Sequence, residues 1–132
     1  MATNKLYGSL VRIFDIVGHQ EQSIETLRAA GLLFPPVFIL FQECIRRKYW
    51  SMIGNFEVEA FAFPKFRCSQ DITHGYKPGI YHDWLIWDGE NYSFIGALPP
   101  ELRELEYLVF WPVEMLQDRI VTGENVLFGG ML

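Results

Sequence analysis

The chain is 132 residues long, 50% hydrophobic and 20% charged, with a formal net charge of −5. That length suits one domain, because a single hydrophobic core typically serves about 100–150 residues. Its 4 Trp, 6 Tyr and 11 Phe exclude a disordered chain, and 2 cysteines are too few for a disulfide-held miniprotein.

The charge is unevenly spread. Residues 1–50 carry six bases and four acids, whereas residues 51–132 carry five bases and twelve acids. Between His82 and Asp118 there are eight acids against the single base Arg103. Nucleic acid is a poor partner for that half, since phosphate binding relies on Lys and Arg. A basic protein suits it, through long-range attraction.

The first apolar stretch, interrupted by Arg12 and Asp15, lacks the unbroken core and cleavage site of a secretion signal. The longest apolar run, Leu32 to Phe41, contains Pro35-Pro36 and is half the length of a membrane span of about 20 residues. The expectation is a cytoplasmic protein without a membrane partner. Cys44 and Cys68 are expected to be free thiols.

In chain order, Leu6, Leu10, Ile13, Phe14 and Val17 recur at helical spacing, with Gly18 as a stop. A second helix is predicted from Ser23, whose side chain caps it while Thr26 stands where a full capping box has Glu; Gly31 ends it. Pro35-Pro36 would open a third helix through Phe38, Phe41, Cys44, Ile45 and Tyr49, closing on Arg46, Arg47 and Lys48. The period then changes to two, and Asn55 to Phe63 reads as a strand ended by Pro64. Residues 64–80 read as a loop. Trp84-Leu85-Ile86-Trp87 and Tyr92-Ser93-Phe94-Ile95-Gly96 flank Asp88-Gly89-Glu90-Asn91, which predicts a β-hairpin. Pro99-Pro100 would open a helix near 100–110 with Leu102, Leu105, Leu108 and Val109 inward, and 113–119 a further turn or short helix. Val126-Leu127-Phe128 reads as an edge strand. The predicted class is α+β: N-terminal helices packed on an antiparallel sheet that contains the hairpin.

No chemical motif stands out. His19, His74 and His82 lack helical metal-site spacing, neither Cys belongs to a C-x-x-C, and Gly129-Gly130 lacks the Lys and helix of a phosphate loop. No metal or cofactor is expected. Cys68, His74 and His82-Asp83 form a conceivable nucleophile, base and orienting acid, though a small thiol and a loop histidine explain them as well. The expected function is non-catalytic protein binding: an immunity or inhibitor protein that neutralises a basic partner, such as a bacterial nuclease toxin. Its expected partner-binding residues are Asp83, Trp87, Asp88, Glu90, Tyr92, Glu104 and Glu106, because acids speed encounter and aromatic anchors slow dissociation. The alternative is a small-ligand protein or enzyme with an aromatic pocket using Glu57, Glu59, His82 or Asp83. A third is homo-oligomerisation through exposed aromatics.

Overall fold

The computed structural model describes residues 2–4, 8–57, 61–69 and 79–125. Strands β1 (Ala2–Asn4), β2 (Gly8–Val11) and β3 (Val37–Ile39) pair antiparallel in sequence order, and β7 (Phe110–Trp111) adds to β3 in parallel. A second, fully antiparallel sheet has the order β4 (Phe66–Ser69), β5 (Trp84–Trp87), β6 (Tyr92–Gly96). Three α-helices accompany them: α1 (Ile24–Ala30), α2 (Phe41–Arg46) and α3 (Val113–Thr122). The class is α+β.

Leu6 of the first predicted helix lies outside the described residues, and from Gly8 on the chain is instead β2 and the extended stretch after it. Leu10 packs with Phe38, Phe66, Trp87 and Leu108, while Val11 packs with Val37, Ile39, Trp111 and Leu116. A strand buried on both faces loses its alternation and reads as a continuous apolar run. Val17, which a helical face would bury, is exposed. The third predicted helix divides for the same reason. Val37, Phe38 and Ile39 are all buried in β3, and only Phe41–Arg46 is helical.

The second helix forms as expected. Ser23 Oγ accepts the Thr26 N–H at 3.2 Å, and Gly31 ends the helix with φ +74°. The strand expected over Asn55–Phe63 does not form at its described positions, 55–57 and 61–63, where Phe56, Phe61 and Phe63 are exposed. Alternation supplies a face but no neighbouring strand. The true strand, β4, starts after Pro64 in the stretch expected to be loop, because two partners flank it. It pairs with β5 on one side, and on the other Arg67 N–H donates to Glu106 O (3.0 Å) and Leu108 N–H to Arg67 O (2.8 Å).

That second contact also explains why no helix spans 100–110. Pro100–Leu102 makes one 3-10 turn, after which Glu106, Tyr107 and Leu108 are buried in succession beside β4. Three consecutive buried residues cannot lie on one helical face. The short helix at 113–119 forms and runs on to Thr122, burying Val113, Leu116 and Arg119, with Gly123 as a left-handed cap. The edge strand expected at Val126–Phe128 lies outside the described residues.

Phe38, Phe66 and Trp87 join the two sheets, with ring centroids 5.2–6.1 Å apart. Full burial of a side chain such as Phe38 or Phe66 stabilises the fold by about 1.5–3 kcal/mol. Trp84 turns to a separate cluster with Leu98 and Tyr107. β5 is therefore packed through both tryptophans. β6 is its exposed neighbour.

Candidate functional site

The β5–β6 hairpin is closed by Asp88. Its Oδ1 accepts the N–H groups of Glu90 (2.9 Å) and Asn91 (2.8 Å), and its own N–H donates to Asn91 O at 3.2 Å. Gly89 sits at φ +105°, where a Cβ would meet the Phe63 ring at 2.8 Å. The two backbone donors, with a smaller contribution from Lys65, hold the Asp88 carboxyl below its usual range. Asp88 and Glu90 are both exposed, so the tip presents two acids.

Phe63 lies across this tip. With Asp88, Gly89 and Glu90 it lines a depression of about 320 Å³. Beneath, Phe63 meets Trp87 edge-on at 5.7 Å, which fixes the aromatic wall of the depression. Carboxylates beside an aromatic ring form the chemical environment that accepts an Arg or Lys side chain, by ion pairing and cation–π attraction. Along β6, Tyr92, Phe94 and Ile95 are all exposed, Phe94 by 68%. The acidic tip therefore continues into an apolar strand.

The predicted partner-binding residues separate into two groups. Asp88, Glu90 and Tyr92 come together on the hairpin, and Glu104 is exposed on the turn after the 3-10 helix. Asp83 is half-buried, and both its oxygens accept from Ser69 Oγ, at 2.7 and 2.8 Å. Trp87 and Glu106 are corrections to the sequence reading. Trp87 is 4% exposed in the inter-sheet aromatic cluster, so it supports the surface from beneath. Glu106, 5% exposed, forms a bidentate pair with Arg119, in which Nη1 donates to Oε2 at 3.0 Å and Nη2 to Oε1. Sequence reasoning weighed Phe94 within an aromatic cluster that fits core and binding surface alike, and did not place Phe63 or Ile95 beside the acidic turn. Aromatic and apolar content next to such a turn does not distinguish an open edge from a covered one.

Glu57 lines an open cavity of about 340 Å³ with Arg12, Arg28, Phe41 and Phe56, and neither His82 nor Asp83 is among its lining residues. Glu59 and His74 lie outside the described residues. Cys44 and Cys68 are free, as expected, and burial pushes both thiols up, away from a nucleophilic thiolate. Among the described residues no three His, Cys, Asp or Glu side chains gather as a metal site requires. No helix among them is long and apolar enough to cross a membrane.

The chain matches no family model, no curated protein and no solved structure.

Proposed function

We propose that the chain is a non-catalytic protein-binding domain that neutralises a basic partner in the cytoplasm, in the manner of an immunity protein against a nuclease toxin. One observation carries the reading: a single hairpin joins an acid-rimmed aromatic depression at its tip to an exposed apolar strand. Acids steer a basic protein into encounter, and apolar anchors then slow its escape. Trp87, behind the tip, keeps Phe63 in place. Asp88 supplies charge and, through its two backbone bonds, the shape of the turn.

The test is capture on the immobilised chain from an extract of its host, followed by calorimetric titration of the purified partner. The expected partner is a basic protein bound one to one, whose own activity falls as the complex forms. Phe94→Ser is expected to weaken binding by about 2 kcal/mol, roughly thirtyfold, as loss of a central apolar contact does. An acidic partner, no partner, or binding indifferent to Phe94→Ser contradicts the reading.

A further inference from the structure

The hairpin ladder determines which backbone groups of β6 face outward. Asp88 N–H bonds to Asn91 O, and the register continues as Trp87↔Tyr92, Ile86↔Ser93 and Leu85↔Phe94. Hydrogen-bonded and non-bonded pairs alternate along an antiparallel ladder. Starting from the bonded pair at 88 and 91, Ser93 falls in the next bonded pair and directs its N–H and C=O at Ile86. Phe94 falls in a non-bonded pair, so its N–H and C=O point away from β5. A register shift follows, and Gly96 at φ +75° ends the strand.

Among the described residues no strand pairs with that outer side, since β6 is the last strand of its sheet. The opposite edge differs, because β4 bonds to the 106–108 segment. Native edge strands are commonly blunted by Lys, Pro or an inward charge. Tyr92-Ser93-Phe94-Ile95-Gly96 contains none of these.

We infer that the partner docks by adding an extended, basic segment as a fourth strand on the outer side of β6, with one Arg or Lys seated in the depression formed by Phe63, Asp88, Gly89 and Glu90. This inference rests on the reading of the hairpin as the binding surface and specifies its mode. Backbone bonds to Phe94 supply part of the affinity, and apolar residues of the added strand cover Phe94 and Ile95. The cation seat sets register, because Glu90 on its rim is two residues before the start of β6 at Tyr92. A second copy of the chain is a poorer occupant. It would bring another strongly acidic half against this one and offers only Arg103 as a base between His82 and Asp118.

The experiment uses the full chain and synthetic peptides of about six residues, the usual strand length. The peptides alternate valine and threonine, are capped at both ends, and carry a single arginine at either terminus; a matched set carries aspartate. Amide exchange is followed by NMR. With one arginine peptide, exchange at Phe94 is expected to slow about tenfold. Ser93, already bonded within the hairpin, is expected to be unchanged, and the aspartate peptides to have no effect. Peptide-induced shifts at Asp88–Asn91 without slower exchange at Phe94 would overturn strand addition and leave the basic-partner reading in place. Equal slowing by arginine and aspartate peptides would overturn the cation seat and weigh against a basic partner. Slow exchange at Phe94 without peptide, in a protein with dimeric mass by light scattering, would assign the edge to a second copy and overturn the inference. No binding by any peptide would also overturn it.

Discussion

Tyr107 carries its hydroxyl into the interior, where the oxygen accepts the Ser69 N–H at 2.9 Å. Burial dominates its chemistry and raises its pKa from 10.0 to about 12. Between those values the unfolded chain has released the phenolic proton and the folded chain has kept it. Stability from this group is therefore fully present below pH 10 and is lost as pH rises through 12. Tyr107→Phe is expected to lose about 1 kcal/mol at neutral pH, the usual value of such a bond. Its denaturation midpoint is also expected to fall less steeply with alkaline pH than that of the parent. Urea melts across this range check both effects, and identical alkaline slopes would contradict the assignment. Residues like Tyr107 are illegible in sequence because their partner is 38 positions away. Ser23, Asp88 and Gly89 were legible because their bonds close within three residues or their backbone demands glycine.

Elements were legible to the degree that their stability is local. The hairpin and the capped helix α1 follow from turn and cap chemistry alone. β2, β3 and β4 exist because of what they lie against: the apolar runs of β2 and β3 fit a helix as well as a strand, and β4, Phe-Arg-Cys-Ser, carries no strand pattern of its own. The region 100–110 shows the same competition. Its leucines have helical spacing, yet the backbone extends to reach β4 and to aim Glu106 at Arg119 of α3. The Arg119 guanidinium lies 3.9 Å from the Phe34 ring centroid and 5.0 Å from that of Trp111, so the pair is enclosed by aromatic surface. Arg119→Ala strands a buried carboxylate and is expected to destabilise the protein by about 3–5 kcal/mol. Glu106→Leu combined with Arg119→Met removes both charges and is expected to lose far less. Equal losses in the single and double variants, measured by chemical denaturation, would show that packing rather than charge dominates there.

At the scale of the whole molecule, the acidic half of the sequence divides into structural and presented charge. Glu106 is consumed inside the fold and Asp83 is held by Ser69. Glu114 is tied to Arg47 at 2.5 Å, and its carboxyl lies below its usual range through its own backbone N–H first and Arg47 next. Glu101, Glu104 and Asp118 are exposed elsewhere on the surface, and Asp88 and Glu90 are exposed together at the tip of the hairpin, where their field reaches solvent. A count of acids along the chain cannot make that division, since it depends on which bases the fold brings near. Under the proposed function, those two carboxylates steer a basic partner into encounter. Stopped-flow association of the captured partner with the parent and with the Asp88→Lys, Glu90→Lys double variant, across a salt series, tests this most directly. Charges beyond about 8–10 Å are screened at physiological ionic strength, so a steered encounter slows as salt rises. The parent is expected to associate about tenfold or more faster at low salt than the variant, and to lose that advantage as salt is added, while the variant, which lacks the two backbone bonds to Asp88, melts earlier than the parent yet stays folded at the temperature of the measurement. Association of the parent that is independent of salt, or unchanged by the double reversal, would contradict the account.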